Sequence, residues 1–149
     1  MEELGAKLGP INWQLMGTKR FDAADIDGFL KLLPREVGGV KLRHALEVRH
    51  ESFRTEQFYD LVRRHGVAIV FADDDTFPKI DEPTADFTYA RLMRTEEDVE
   101  TGYPTEALDN WAKQAADWAK RGDAFVYFIS GAKVRNPAAA QALIERVGR

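Results

Sequence analysis

Short apolar runs alternate with longer amphipathic segments along this chain, and this alternation restricts the fold more than any other feature of the sequence. Short apolar runs favour strands, whereas segments with apolar residues every three or four positions favour helices. Strands that alternate with helices form βα units, which are typical of a mostly parallel sheet. About five such units are present. The sequence therefore predicts an α/β fold.

Turn and capping residues set the predicted boundaries. Strands are predicted at residues 11–15, 45–50, 67–73, 87–93 and 124–130, and helices at residues 22–33, 55–65, 105–121 and 137–147, after a short helix-like stretch at 2–8. Asp22 and either Thr55 or Ser52 are suitable N-caps, and Gly66 is a suitable stop. Residues 73–82 predict an acidic loop. No linker is evident, so residues 1–149 are expected to form a single domain.

Composition narrows the class of protein. The chain has 149 residues, of which 44% are hydrophobic and 31% charged, as in ordinary globular proteins. No apolar run approaches the roughly 20 residues that span a bilayer, and no signal peptide is recognisable. The absence of cysteine excludes disulfides and thiolate nucleophiles, and we expect a cytoplasmic protein. A net charge of −4 disfavours a protein that coats nucleic acid non-specifically. It is still compatible with a local basic groove.

Two opposite charges, Glu47 and Arg49, occur in predicted strand 45–50, where a buried strand normally carries apolar side chains. Alternate residues of a strand share a face, and burying both charges without partners would be costly. Polar residues also share one face of two other predicted strands, Asn12 with Gln14 and Tyr89 with Arg91. Tyr127 belongs to the same face by the same rule. The pattern predicts a polar pocket.

Five blocks of the sequence follow one another in a recognisable order. They are Gly9-Pro10-Ile11-Asn12-Trp13-Gln14-Leu15, His44-Ala45-Leu46-Glu47-Val48-Arg49-His50-Glu51-Ser52-Phe53, Val70-Phe71-Ala72-Asp73, Thr84-Ala85-Asp86-Phe87-Thr88-Tyr89-Ala90-Arg91-Leu92 and Phe125-Val126-Tyr127-Phe128. In this order they resemble the YecE-like proteins, the family catalogued as domain of unknown function 72. The resemblance implies a partial TIM-barrel-like arrangement that corresponds to strands 4 to 8 of the family barrel. It implies no established activity.

Active sites of TIM barrels lie at the C-terminal ends of the strands. In such a barrel this rim would bring together Gln14, Arg49, His50, Asp73, Arg91 and Ser130. Relatives usually carry one or two asparagines where this chain has Ile129-Ser130. Ser130 still offers a hydroxyl but no amide, so ligand binding here is expected to differ from that of relatives.

Two interpretations of these residues stay open. In a functional site, Arg49 and Arg91 bind an anionic group, and Glu47, Asp73 or His50 acts as acid or base. Gln14, Tyr127 and Ser130 then orient the ligand. In the structural interpretation, Glu47 pairs internally with Arg49, and Arg91 pairs with Asp73 or Glu47. His50 is then an ordinary hydrogen-bonded loop residue.

Specific cofactor signatures are missing from the sequence. Glu47, His50 and Asp73 could ligate a metal but lack a diagnostic spacing, so no metal site is predicted and the cofactor stays unknown. Gly38-Gly39 predicts a turn rather than a phosphate-binding loop. His65 precedes a stop glycine, where its side chain complements the helix dipole.

The chain is short for the fold that it resembles, because a complete (β/α)₈ barrel typically needs about 250 residues. The first and last predicted strands would each present an open edge, and open edges recruit further strands. Either the chain is a fragment of a longer protein, or two copies associate. We therefore expect self-association if the chain is stable by itself.

Three functions are compatible with these observations. The first is an enzyme or ligand-binding barrel whose polar pocket binds an anionic small molecule or phosphoryl group. The second is a module that binds the nucleic-acid backbone, with Arg94, Lys133 and Arg135 adding phosphate contacts. The third is an inactive, truncated interaction fragment. Steep salt dependence would distinguish the second function from the first.

Overall fold

A computed structural model describes residues 10–74, 78–129 and 133–147. The strands are β1 (Ile11–Gln14), β2 (Glu36–Val37), β3 (Val40–Lys41), β4 (His44–Glu47), β5 (Ala68–Ile69), β6 (Phe71–Asp73), β7 (Phe87–Leu92) and β8 (Asp123–Phe128). The helices are α1 (Ala23–Leu32), α2 (Glu56–Arg64), α3 (Thr105–Arg121) and α4 (Asn136–Val147), with short 3-10 turns at Glu51–Phe53 and Lys133–Arg135. The predicted helix-like stretch 2–8 lies outside the described residues.

The main strands run parallel, in the order β1-β4-β5 in one sheet and β6-β7-β8 in the next. The single strand predicted at 67–73 is wrong in this detail, because Val70 separates β5 from β6. β5 pairs with β4, and β6 pairs with β7, so this segment connects the two sheets. Along this segment the side chains keep alternating between the two faces of the sheet. This is expected of a twisted strand whose hydrogen-bonded neighbour changes from β4 to β7. The result is the predicted partial, TIM-barrel-like α/β arrangement.

Local signals in the sequence account for most of the ends. The Asp22 side chain accepts a hydrogen bond from the Asp25 amide at 3.1 Å, and Thr55 caps α2 in the same way through the Phe58 amide. Gly66, with φ of 66°, follows α2. The strand predicted at 45–50 instead ends at Glu47, because His50 caps the 3-10 turn that follows. The predicted Gly38-Gly39 turn is confirmed, and it joins the hairpin of β2 and β3.

Two apolar clusters cover the outer face of the sheets. The first packs α1 and α2 against β4 and β5 and is centred on Leu46, Phe53 and Phe58. The second packs α3 and α4 against β6 to β8 and includes Trp118 and Leu108. Their strand members, such as Leu46 and Leu92, alternate with the polar residues that the sequence groups on the opposite face. This agreement confirms the predicted direction of the strand side chains.

The connection from β6 to β7 contains no helix among its described residues, and residues 78–86 cover this part of the sheet instead. Ile80 is buried in the first apolar cluster. Asp81 accepts a hydrogen bond from Trp118 Nε1 at 3.1 Å, and the Thr84 hydroxyl donates to the Val67 carbonyl at 2.7 Å. These contacts hold the predicted loop against α3 and β5.

The opposite, inner face of the sheets curves into a partial barrel. Ala45, Ala68, Val70 and Phe87 pack together there, with Phe125 against them. Arg43 crosses from β4 to β8 at the N-terminal ends of the strands, where it pairs with Asp123 at 2.8 Å and lies over the Phe125 ring. Such contacts between non-neighbouring strands require a curved sheet. The inner face is therefore the interior of the partial barrel.

The outer edges of this arrangement are open among the described residues, where β1 pairs only with β4 and β8 only with β7. An apolar groove of about 710 Å³ runs beside β8 between α3 and α4, and Ile144 is exposed at its margin. In the described part of the chain, no helix has the length and apolar character needed to cross a membrane.

Candidate functional site

Three charged side chains meet on the inner face at the C-terminal ends of β4 and β7. Glu47 is fully buried, and its Oε2 accepts hydrogen bonds from Arg49 Nε at 3.0 Å and Nη2 at 2.8 Å. Arg91 Nη1 donates to Oε1 of the same carboxylate. We call Glu47, Arg49 and Arg91 the Glu47 triad. Two guanidinium groups thus share one buried carboxylate, which leaves a formal charge of +1 on the triad.

The alternation of strand side chains explains how the triad forms. Glu47 lies on the inner face because its neighbour Leu46 packs outward under the helices. Arg91 belongs to β7 and is separated from β4 by the β5 and β6 segment, so only the curvature of the sheet brings it to Glu47. Sequence parity identified both residues. Of the two Arg91 partners considered from the sequence, the structure shows Glu47.

Gln14 and Tyr127 lie near the two ends of the row of strands. Gln14 is in register with Glu47 on the neighbouring strand, so it shares the inner face, where it is exposed. Tyr127 is in register with Arg91, and its ring centroid is 5.1 Å from that of Tyr89. The predicted grouping of Gln14, Arg49, Arg91 and Tyr127 on one face is therefore present in the structure. Ser130 lies outside the described residues.

A layer below the triad contains Asn12 and Tyr89. Burial raises the pKa of the Tyr89 phenol, and Tyr127 and Glu47 nearby raise it further, whereas Arg91 and the Asn12 amide lower it. These influences show that the phenol lies among the groups of the inner face. The Asn12 carbonyl oxygen Oδ1 is buried and has no hydrogen-bond partner among the described residues.

His50 lies beside the triad in sequence, but its ring is engaged in local structure. Its Nδ1 accepts a hydrogen bond from the Ser52 amide at 3.0 Å and lies 2.9 Å from the Ser52 hydroxyl. The Ser52 hydroxyl in turn accepts from the Phe21 amide. Because Nδ1 accepts, the neutral ring carries its proton on Nε2. The observed contacts match the hydrogen-bonded loop residue that the sequence left as an alternative.

Asp73 does not join the triad, although it lies at the C-terminal end of its strand. It follows Phe71 by two residues and therefore faces the helices, whereas Arg91 faces the interior. Its buried carboxylate accepts from the Tyr103 hydroxyl and pairs with Lys79, both at 3.0 Å. The expectation that Asp73 converges with Arg91 is thus wrong, because the two side chains lie on opposite faces of the sheet.

The surroundings of Asp73 form a second polar cleft of about 370 Å³, which we call the Asp73 cleft. Arg94 reaches to 3.6 Å from the Asp73 carboxylate. Burial is the largest cause that raises the pKa of Tyr103, so its hydroxyl stays protonated and donates to Asp73. Sequence reasoning missed Tyr103 and Lys79, because both belong to loops whose position follows no periodic pattern.

The remaining basic candidates are partly committed to other contacts. Arg135 Nε donates to the Glu97 carbonyl at 2.8 Å, and the Lys133 side chain is outside the description.

Across residues 10–74, 78–129 and 133–147, no three histidine or carboxylate side chains converge as a metal-binding group would. His44 and His65 have structural partners: His44 accepts from Trp13 Nε1 at 3.0 Å, and His65 Nε2 lies 2.8 Å from an Asp27 oxygen.

Comparison with known proteins places this geometry in a family. The model of the family described as "Protein of unknown function DUF72" matches residues 1–149. The chain belongs to the DUF72 family. The YecE-like resemblance is thereby confirmed, since the two names denote the same family. No curated protein matches the chain.

Solved structures of DUF72 proteins share this fold. A DUF72 family protein from Thermotoga maritima MSB8 superposes with a TM-score of 0.71 at 22% identity, over 93% of this chain and 56% of that chain. A DUF72 family protein from Enterococcus faecalis V583 gives a TM-score of 0.71 at 15% identity, over 96% and 62% of the two chains. This chain therefore spans about three fifths of the length of these proteins, whose fold is TIM-barrel-like.

Proposed function

We propose that the Glu47 triad is the anion-binding part of a small-molecule site, with Arg49 and Arg91 as the groups that contact the anion. The observation that carries the proposal is the convergence of two guanidinium groups on one buried carboxylate at the C-terminal ends of the strands. Arginine binds carboxylate and phosphate groups through two parallel hydrogen bonds. A small anion with a carboxylate or phosphate group is therefore the ligand that this pair of arginines suits best.

The contacts of Arg91 support this proposal. Its side chain is only 11% exposed, so water screens its charge weakly. Among the described residues it uses Nη1 alone in a hydrogen bond, which leaves Nε and Nη2 as donors. Arg49 is 27% exposed and gives the site contact with solvent. The triad thus combines a sheltered donor with an accessible one.

In this proposal Glu47 is a positioning residue rather than an acid or base. Both carboxylate oxygens already accept hydrogen bonds from guanidinium groups, which fixes the planes of the two arginines. Asp73 takes no part, since it faces the opposite side of the sheet. The arrangement favours ligand binding over proton transfer.

A nucleic-acid backbone is the less favoured ligand. Arg94 contacts Asp73, and Arg135 donates to a backbone carbonyl, so these two cations of the predicted interface already have partners. The chain also carries a net charge of −4. A small anion is therefore the proposed ligand, and nucleic-acid binding or a complete lack of binding would be the contrary outcomes of the test.

Isothermal titration with inorganic phosphate tests the proposal. Loss of one charged hydrogen-bond donor typically costs about 1.5–3 kcal/mol, so R49Q is expected to weaken phosphate binding by about 10- to 150-fold. R63Q is the matched control, because Arg63 pairs with Asp60 on the exposed surface of α2. Equal affinities of R49Q, R63Q and the unchanged protein would refute the assignment.

Salt dependence separates the alternatives. A site for one small anion releases few counterions, whereas a backbone interface with several phosphate contacts weakens steeply as salt rises. Tight binding of a single-stranded oligonucleotide, with a steep slope and no competition by phosphate, would support the nucleic-acid function instead. Absence of binding to both ligands would support the inactive fragment.

A further inference from the structure

The inner face carries uncharged polar and aromatic groups next to the Glu47 triad. Asn12 precedes Gln14 by two residues on β1, and Tyr89 precedes Arg91 by two residues on β7. Two strand residues span ~7 Å, so these groups form a layer about that far below the triad. If the arginines bind the anionic group of a ligand, the rest of that ligand lies against this layer.

The side of the inner face formed by β7 and β8 is aromatic at both levels, because Tyr127 is in register with Arg91 and Tyr89 lies one layer below. The rings of Tyr89 and Tyr127 lie 5.1 Å apart with an angle of 35° between their planes. Tyr127 is 39% exposed, although its neighbours Val126 and Phe128 pack against the apolar cluster under the helices. An exposed aromatic ring beside an arginine offers a flat apolar surface with a polar hydroxyl. We call Tyr89 and Tyr127 the tyrosine wall.

The opposite side, on β1, carries amides at both levels, because Gln14 is in register with Glu47 and Asn12 lies one layer below. Gln14 is exposed, and its amide both donates and accepts hydrogen bonds. Asn12 Oδ1 is buried and lacks a partner among the described residues. Leaving such an acceptor unsatisfied is unfavourable, so its retention calls for an explanation. A hydroxyl donor that reaches this layer from a ligand would satisfy the oxygen.

We infer that the ligand of this site is a sugar that carries a phosphate or carboxylate group, an inference that rests on the proposed anion site. The arginines bind the charged group, the tyrosine wall packs against the C–H face of the sugar ring, and the amides of Asn12 and Gln14 pair with its hydroxyls. The ~7 Å between the two layers suits a ring one or two bonds from its anionic group.

The state of Tyr89 agrees with this assignment. Burial raises the pKa of its phenol, so the hydroxyl stays protonated and neutral near pH 7. A neutral phenol can donate a hydrogen bond to a sugar oxygen, whereas a phenolate would repel the anionic group. The site therefore offers donors from both tyrosines and both amides.

Titration with matched probes tests the inference on the unchanged chain. The probes are inorganic phosphate, propyl phosphate, glucose, glucose 6-phosphate and glucuronate. We expect glucose 6-phosphate or glucuronate to bind at least about tenfold more tightly than propyl phosphate, the gain from about one to two hydrogen bonds. The tighter of the two identifies the anionic group. Glucose alone is expected to bind weakly.

Two variants locate the sugar contacts. Y127L removes an exposed ring and is expected to reduce the affinity for the sugar anion by about tenfold while phosphate binding stays within about twofold. Y127F keeps the ring and should retain most of the affinity. I144A is the control for an exposed apolar side chain, because Ile144 lies outside the barrel on α4.

The outcomes separate the two proposals. If propyl phosphate binds as tightly as both sugar anions, or if Y127L leaves the sugar preference unchanged, the inference is wrong and the anion site stands. If neither phosphate nor any phosphorylated or acidic probe binds, the anion site itself is refuted, and the inference with it.

Discussion

Replacing Glu47 with glutamine is the perturbation that the structure predicts most sharply. The change removes the carboxylate that Arg49 and Arg91 share while it keeps the size of the side chain. Removal of one partner from a buried ion pair typically costs 3–5 kcal/mol, because the remaining charge loses its compensation. Arg49 is 27% exposed and can regain water, so we expect the low end, about 3 kcal/mol.

Urea denaturation and calorimetry measure this change in the free energy of unfolding. For a chain of this length, 1 kcal/mol shifts the melting temperature by about 2–4 °C, which predicts a decrease of about 6–12 °C for E47Q. E51Q is the matched control, since Glu51 is 70% exposed and faces Arg54 across 3.8 Å. An exposed pair of this kind contributes about 0–1 kcal/mol.

Phosphate is expected to stabilise the E47Q variant, in contrast to the loss of stability that the substitution itself causes. E47Q removes the buried negative charge that competes with phosphate for Arg49 and Arg91, so we expect it to bind phosphate more tightly than the unchanged protein and to gain more thermal stability from it. If E47Q melts within about 1 °C of the unchanged protein, and phosphate stabilises both equally, the account of the triad as a buried ion-pair cluster that binds anions is wrong.

Three further predictions concern the scaffold. G122A should destabilise the fold by about 1–3 kcal/mol in urea, because Gly122 has φ of 146° and a Cβ there would overlap the Asp86 carbonyl; an unchanged midpoint would contradict this. The hydrogen bond from His65 holds the pKa of Asp27 below 3.8, so its stabilisation exists above that pH and is lost as pH falls through the folded-state pKa. D27N should flatten this acid limb in pH-dependent urea titrations, and a limb identical to that of the unchanged protein would refute the assignment. The open edges of β1 and β8 predict self-association in sedimentation velocity, and a monodisperse monomer with a cooperative melt would exclude it.

The sequence predicts the inner face well because strand alternation depends only on local geometry. Two-residue spacing is enough to assign Glu47, Arg91 and Tyr127 to one face, and capping chemistry is enough to identify Asp22 and Thr55 as N-caps. The same rule, applied along residues 67–73, shows why Asp73 faces the helices. Its grouping with Arg91 relied on position along the strand and neglected this parity.

Other features depend on contacts that are distant in sequence. The division of residues 67–73 into β5 and β6 reflects a change of neighbouring strand, which no local pattern encodes. Tyr103 reaches Asp73 from 30 residues away, and Asp81 reaches Trp118 from 37 residues away. The curvature that brings Arg91 to Glu47 arises from the packing of the whole sheet. Such features require three-dimensional information.

The central claim is that Arg49 and Arg91 bind an anion on the inner face. The most direct measurement is a phosphate titration followed through the Nε–H resonances of the arginines in ¹⁵N-labelled protein. We predict saturable shifts of the Arg49 and Arg91 resonances with one common dissociation constant, while that of Arg63 on α2 stays in place. Resonances of Arg49 and Arg91 that do not move, or that move no more than Arg63, would contradict the claim.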